Sequence, residues 1–288
     1  MLFPPDFLTR LEYLSIVSKR VFQGSLLAQR RSMQPGSGIE FSEHREYTPG
    51  DDFRYLDWNV YARHGDLLLK QFQEEQDLHV YFLLDCSPSM GFGNPAKFDL
   101  ARQLVAALAY VALADLDRVT VFSFSNDLID EFPLTRGKAR IVPLMKFLEN
   151  QQLTGTDTDF GHSANELLHR TSRVGIVIVV SDLFDENGFQ RGLDQLRYRR
   201  FDGHVIQLHA TEEADPALLG DVELFDVERE SARHVTVTER NARAYKELFC
   251  SHQQSVRDYC LNYNLGCTQS PSTMNYDDLV LRMMRESG

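Results

Sequence analysis

The pattern of hydrophobic and polar positions changes near residue 77. Continuous apolar runs predict buried strands at 78–85, 118–125 and 175–182. A further strand is predicted at 204–210, a hairpin at 222–238 and a last strand at 266–272. Helical spacing of apolar residues appears at 97–116, 138–149, 160–170, 189–200, 240–262 and 276–285. Strands that are apolar on both faces and alternate with helices predict an α/β fold, a doubly wound, mostly parallel sheet with helices on both faces.

The first 77 residues follow another pattern. Residues 5–31 carry apolar side chains at helical spacing, and QPGSG at 34–38 interrupts it. Residues 39–76 are rich in aromatic and charged side chains and predict short strands and turns, with TPGDD at 48–52 as one turn. We therefore predict an N-terminal element of helix and short β-strands at 1–77 and an α/β domain at 78–288.

Composition and charge exclude several classes of protein. Hydrophobic residues make up 43% of the chain and charged residues 25%, as in a globular protein. The net charge of −12 argues against a nucleic-acid partner, because binding phosphate needs a basic surface. The apolar runs are too short to span a bilayer, and no basic leader precedes an apolar segment. The four cysteines lack CxxC spacing, which favours reduced thiols and a cytoplasmic location.

Polar side chains gather where the first apolar strand ends. Asp85, Ser87 and Ser89 alternate, so their side chains point the same way in an extended segment. A cradle made only of oxygen donors suits a hard cation such as Mg²⁺. One loop offers too few ligands, so other loops are expected to contribute. The candidates are Asp182, which ends a later strand, and the hydroxyls of the segment 154–160.

These motifs resemble the von Willebrand factor A domain: DxSxSMG after an apolar strand, a Gly/Thr-rich loop before a helix, and an acid that ends a later strand. The segment GSGIEFSEHREYTPGDDFRYLDWNVYARHGDLLLKQF at 36–72 is similar to the hallmark region of the DUF58 family, bacterial proteins that join this element to a von Willebrand A-like domain. The resemblance extends from about residue 20 to the end of the chain. It implies that 78–288 is a von Willebrand A-like domain with a metal-ion-dependent adhesion site.

The resemblance also implies a set of metal ligands. Carried over to this sequence, the ligands are Asp85, Ser87, Ser89, Thr158 and Asp182. Thr158 is preferred because Phe160 follows it at the family's spacing, and Thr156 is the alternative. The family's usual two glycines before the threonine are not present in this sequence. The resemblance therefore identifies the loop that provides the ligand more firmly than the individual threonine. The implied cofactor is Mg²⁺, with Mn²⁺ or Ca²⁺ as alternatives.

The function implied by the resemblance is binding rather than catalysis. An Asp or Glu carboxylate of a client protein would complete the coordination shell of the metal. Relatives are typically associated with MoxR-type AAA+ ATPases. The resemblance therefore implies an adaptor or co-chaperone that is not itself an enzyme.

Other interpretations of the same residues stay open. Serine and aspartate before a helix also serve as caps, which would leave a metal-free structural scaffold. Phosphoryl transfer by Asp85 is the enzyme alternative. Against it, position 87 is Ser rather than Asp, and no lysine is convincingly placed to neutralise a phosphoryl group. Cys86 is expected to be a small buried residue and not a nucleophile.

The acidic stretch near Trp58 is interpreted as structural. Arg54 and Arg63 are expected to pair with Asp51, Asp52 or Asp57 in a buried turn that locks the N-terminal element onto the main domain. The planar guanidinium of Arg54 makes it the first choice for such a pair.

Overall fold

The computed structural model describes residues 2–22, 35–36, 40–73, 78–155, 158–216, 220–226 and 231–286. The chain forms two compact units, one of residues 1–21 and 78–288 and the other of residues 22–77. The first 21 residues thus group with the α/β unit, which corrects the predicted division into 1–77 and 78–288.

The two units contain the following helices and strands, which alternate through most of the α/β unit. The helices are α1 (Phe7–Phe22), α2 (Trp58–His64), α3 (Lys97–Ala114), α4 (Ile141–Asn150), α5 (Phe160–Arg170), α6 (Gln190–Tyr198), α7 (Thr211–Ala214), α8 (Glu239–Asn262) and α9 (Tyr276–Glu286). The strands are β1 (Pro35–Gly36), β2 (Glu40–Glu46), β3 (Leu68–Gln73), β4 (His79–Asp85), β5 (Arg118–Phe124), β6 (Leu128–Arg136), β7 (Ile176–Ser181), β8 (Asp202–His209), β9 (Gly220–Asp226), β10 (Ser231–Val237) and β11 (Gly266–Pro271).

The main sheet has six strands in the order β11-β8-β7-β4-β5-β6. Its strands run parallel except for β6, which is antiparallel to β5. From β4 the chain builds outward in one direction to β5 and β6, and then in the other direction to β7, β8 and β11. The predicted doubly wound, mostly parallel sheet is confirmed. Because the winding reverses between β4 and β7, their carboxyl ends flank the crevice where such sheets bind ligands.

Helices cover both faces of this sheet. On one face, apolar side chains of α5, α6 and α8 join the buried cluster that contains Leu83 and Val179. On the other face, α3 packs on the strands and contacts α4 and α9. Helix α1 belongs with this second group because Phe7 is fully buried and its ring centroid lies 4.8 Å from that of Tyr276 in α9. Burial of that aromatic pair explains why the first helix groups with the α/β unit.

Strand β6, helix α2 and the short helix α7 were not predicted. Strand β6 has few buried side chains, lies at the edge of the sheet and contains Pro133, so it lacks the continuous apolar run of an inner strand. Helix α2 lies in a segment predicted as strands and turns. The Asp57 carboxylate accepts the Asn59 and Val60 N–H groups at its start, and Gly65 ends it with φ of 79°.

The smaller unit contains an antiparallel sheet of order β1-β3-β2. The predicted turn is present, since the Asp51 N–H donates to the Thr48 carbonyl at 3.0 Å. Hydrogen bonds from Thr48, followed by one from Arg45, lower the pKa of Asp51 to about 2. These local bonds hold the acidic turn in place.

The predicted ion pairs in this unit are formed only in part. Arg54 pairs with Asp52 at 2.6 Å, but its side chain is 82% exposed, so the turn is not a buried one. Asp57 is buried and pairs instead with His44 at 3.0 Å and with Lys70 at 3.4 Å.

The predicted pairing of Arg63 is wrong. Among the residues that the structure describes, Arg63 forms no ion pair with Asp51, Asp52 or Asp57. For Asp57, the nearest of these acids in the sequence, the positions of the two residues along α2 explain why no pair forms. Asp57 caps the start of α2, whereas Arg63 lies in its last turn.

Candidate metal centre

Asp85 lies at the end of β4 and has no exposed surface. One carboxylate oxygen, Oδ1, accepts the Ser87 N–H at 2.8 Å, and Oδ2 accepts the Ser181 hydroxyl at 2.5 Å. Burial, and then the nearby charge of Asp182, raise the pKa of Asp85 to about 7, although the bonds from Ser181 and Ser87 act in the opposite direction. This is a buried acid that is held close to a second acid.

Serine hydroxyls connect the ends of β4 and β7. The Oγ atoms of Ser87 and Ser89 lie 3.1 Å apart, and Ser89 Oγ donates to Asp182 Oδ2 at 2.8 Å. Asp182 is 1% exposed, and its Oδ1 accepts the Phe184 N–H at 3.0 Å. The structure therefore brings Asp182 and the DxSxS loop together in one hydrogen-bonded network.

Thr158 lies in the loop between α4 and α5. The Thr154 N–H donates to the Cys86 carbonyl at 2.8 Å, and the Asp159 N–H donates to the Ser125 carbonyl at 3.1 Å. These bonds fix the loop to the segments that follow β4 and β5. Thr158 is 4% exposed, and its Oγ1 is buried without a hydrogen-bond partner, which is unusual for a hydroxyl. The alternative ligand, Thr156, lies outside the described residues.

The site also contains a lysine that the sequence analysis did not identify. Lys97 Nζ donates to Asp182 Oδ2 at 2.8 Å and to Glu213 Oε1 at 2.5 Å, and its side chain has no exposed surface. Burial has the largest effect and lowers the pKa of Lys97, but Asp182 and Glu213 together outweigh it, and the pKa is raised above 10.5. The sequence analysis found no lysine convincingly placed to neutralise a phosphoryl group, and the structure places Lys97 beside Asp182.

A signal for this lysine was present in the sequence. Lys97 opens the predicted helix at 97–116, where the helix dipole disfavours a cation. A lysine at that position indicates that an acidic partner lies nearby. Ser181 was noted as close to Asp182 but not assigned, and it proves to be the donor to Asp85.

The donors present fit a hard divalent cation. Carboxylates and hydroxyls are the ligand types that Mg²⁺ prefers. Two buried carboxylates close together destabilise each other unless cations lie near them, and Lys97 provides such a cation to Asp182. Thr158 also has a buried oxygen with a bonding position to fill. Cys86, by contrast, is fully buried, and burial raises the pKa of its thiol, as expected for an inert cysteine.

A groove opens beside the site. Its volume is about 870 Å³, and Ser89 lies in its wall. Much of the remaining lining is apolar and includes Phe92, Leu183, Phe184 and Tyr245. The groove thus places apolar surface next to the cluster of oxygen donors.

The fold and site define an α/β protein with a doubly wound sheet and a cluster of oxygen donors where the winding reverses. Residues 43–255 match the family described as "Protein of unknown function DUF58". Since the match covers more than half of the sequence, the chain belongs to the DUF58 family.

Similar proteins occur in several bacteria. The "Uncharacterized protein Rv1480" of Mycobacterium tuberculosis and the "Uncharacterized protein Mb1516" of Mycobacterium bovis are each 24% identical over 258 residues, which cover 88% of this chain and 80% of the relative. The "Uncharacterized protein YeaD" of Bacillus subtilis is 23% identical over 193 residues, which cover 67% of this chain and 45% of the relative.

Solved structures with a similar fold include BatB from Bacteroides thetaiotaomicron. Its TM-score is 0.47 at 15% identity, over 73% of this chain and 96% of that chain. The VWA domain of SpRpn10 has a TM-score of 0.42 at 11% identity, over 72% and 95% of the two chains. Among the described helices of the present structure, none combines the length and apolar character needed to cross a membrane.

Proposed function

We propose that this protein is a metal-dependent protein-interaction module and not an enzyme. The proposed ligands of Mg²⁺, or of Mn²⁺ or Ca²⁺ in its place, are Asp85, Ser87, Ser89, Thr158 and Asp182. The observation that carries the proposal is the pair of buried acids from two strand ends, Asp85 and Asp182, with serine hydroxyls between them. A bound Mg²⁺ would supply an open coordination position for the carboxylate of a partner.

The residues divide this work among them. Asp85 and Asp182 provide negative charge, and their burial excludes water from it. Ser87 and Ser89 now bond to each other, and each keeps oxygen lone pairs for a ligand. The apolar groove beside Ser89 supports a protein partner, because apolar surface next to a polar anchor is typical of binding sites.

For the partner we propose a MoxR-type AAA+ ATPase, with the protein acting in the cytoplasm as an adaptor or co-chaperone for a client that presents an Asp or Glu. The family resemblance supports the ATPase partner. The four free cysteines support the cytoplasmic location. The test is purification of the protein from its own cells with and without chelator. Ser87→Ala and Ser89→Ala should reduce recovery of an ATPase. Unchanged recovery from both variants would mean that the ATPase binds elsewhere.

Phosphoryl transfer by Asp85 is the alternative, and the presence of Lys97 beside Asp182 is an observation in its favour. Against it, Asp85 has no exposed surface, and both of its oxygens already accept hydrogen bonds. A nucleophile must reach the phosphorus atom. The alternative predicts hydrolysis of a generic phosphoester that Asp85→Asn abolishes, and we expect no hydrolysis.

Metal binding is tested by thermal unfolding with and without Mg²⁺. A ligand present at 100 times its Kd stabilises the native state by about 2.7 kcal/mol. We expect a rise in Tm for the wild type and a smaller rise for Ser89→Ala, which removes a ligand without changing any charge.

A second cluster provides the matched control. Ligand atoms of Asp127, His162 and Glu166 lie within 4.8 Å of one another, and Asp127 and His162 are exposed. His162→Ala should keep the full response to Mg²⁺. A response that is lost in His162→Ala and kept in Ser89→Ala, or no response in the wild type, would contradict the proposal.

A further inference from the structure

Lys97 is a buried cation inside the candidate metal centre. Lysine is almost never fully buried unless it is paired, and here two carboxylates provide the pairing. Its Nζ also lies 5.5 Å from the ring centroid of Phe184, a residue of the groove wall. The ammonium group is therefore held in place by contacts on several sides.

Glu213 fixes the far side of this cation. One of its oxygens, Oε1, accepts from Lys97, and Oε2 accepts the Ala210 N–H at 2.7 Å. The backbone of the segment that leads into α7 therefore holds Glu213. Lys97 is thus held between Glu213 and Asp182 and cannot move away from Asp182 without losing that ion pair.

Lys97 and the proposed ligands share one atom. Ser89 Oγ and Lys97 Nζ both donate to Asp182 Oδ2 at 2.8 Å. Any ion held by Ser89 and Asp182 would share that carboxylate with the ammonium group. Two positive charges at such short range repel each other strongly where water is excluded.

The positive charge of Lys97 also sets the net charge of the site once a metal ion is bound. Asp85, Asp182 and Glu213 carry three negative charges and Lys97 one positive charge, so the group has a net charge of −2 when all four are ionised. A divalent ion brings the total to zero. Without the lysine the loaded site would be negative and would repel a partner's carboxylate.

We propose that Lys97 is a positioning residue that lowers the affinity of the site for its divalent ion and raises the affinity of the loaded site for a carboxylate. This inference rests on the proposed function. It adds a reason for the choice of partner. The positive charge of Lys97 keeps the metal-loaded site from being negative, so the site can bind an anionic group. Removing the positive charge of Lys97 should change the two affinities in opposite directions.

The test measures both affinities. Calorimetry gives the Kd of Mn²⁺, and the relaxation of water protons by bound Mn²⁺ reports the binding of acetate, the carboxylate probe. In Lys97→Met we expect the Kd of Mn²⁺ to fall by about tenfold or more and acetate to bind more weakly. Lys97→Arg should restore both values toward the wild type, because it restores the charge.

A second variant keeps the inference testable if Lys97→Met does not fold. Glu213→Gln keeps the lysine and removes its outer counter-charge, so Mn²⁺ should bind more weakly and acetate more tightly. Unchanged affinities in the variants that fold, or affinities for Mn²⁺ and acetate that shift in the same direction, would overturn the inference while leaving the proposed function intact. A wild-type protein that binds no Mn²⁺ would overturn both.

Discussion

Replacing Asp85 by Asn should stabilise the metal-free protein at neutral pH. The carboxyl group is fully buried, and its pKa is raised from 3.8 to about 7, first by burial and then by Asp182. Asparagine has the same shape and carries no charge. Its oxygen can accept the Ser87 N–H, and its amide can donate to Ser181 Oγ, which keeps both contacts but reverses the direction of the bond with Ser181.

The magnitude follows from the linkage between protonation and folding. The folded state holds the Asp85 proton more tightly than the unfolded state, so this group's contribution to stability falls as the pH rises from about 4 to about 7. A rise in pKa from 3.8 to about 7 corresponds to about 4 kcal/mol. We expect Asp85→Asn and the wild type to be about equally stable near pH 4. Above pH 7 the variant should be more stable by up to about 4 kcal/mol.

The assay is denaturant unfolding in EDTA at several pH values. The single tryptophan, Trp58, lies in the smaller unit, so far-UV circular dichroism is the better probe of the α/β unit. The control is Asp258→Asn, which removes an exposed carboxyl on α8 and should show no such pH-dependent gain. A variant that is less stable than the wild type above pH 7, or a difference that does not change with pH, would refute the reasoning.

Two further predictions concern the two units separately. Phe7→Ala should destabilise the α/β unit by about 3–5 kcal/mol, measured by circular dichroism, because it removes a fully buried ring from its contact with Tyr276; a loss below 1 kcal/mol would contradict the placement of α1. The bond from His44, together with other hydrogen bonds, lowers the pKa of Asp57 to about 2, so its contribution to the smaller unit should be lost as the pH falls from about 4 to 2. Trp58 fluorescence should show that loss in the wild type and not in Asp57→Asn.

The sequence predicted the parts of the fold that depend on continuous apolar runs. Strands β4, β5 and β7 are inner strands covered by helices, so their side chains are apolar on both faces. Strand β6 has one neighbour in the sheet and a largely exposed surface, so its pattern carried too little signal. The placement of α1 depends on a contact with α9, at the opposite end of the chain, and local spacing does not report such a contact.

The sequence likewise predicted only some residues of the site. Asp85 and Asp182 could be found because each ends an apolar strand, and parallel strands bring their carboxyl ends together. Lys97 and Glu213 could not be found from strand ends. Lys97 lies at the start of one helix and Glu213 in a short one, and only the fold brings the two together as an ion pair beside Asp182. In the smaller unit the predicted pair of Arg54 with Asp52 is formed, whereas Asp57 caps α2 and pairs with His44 and Lys70.

The most direct test of the central claim is anomalous diffraction from crystals grown with Mn²⁺. We predict one strong anomalous peak between the ends of β4 and β7, bound by Asp85, Ser87, Ser89, Thr158 and Asp182, directly or through water. A well-ordered site that shows no anomalous peak at saturating Mn²⁺, with the Thr158 hydroxyl still unpartnered, would contradict the account.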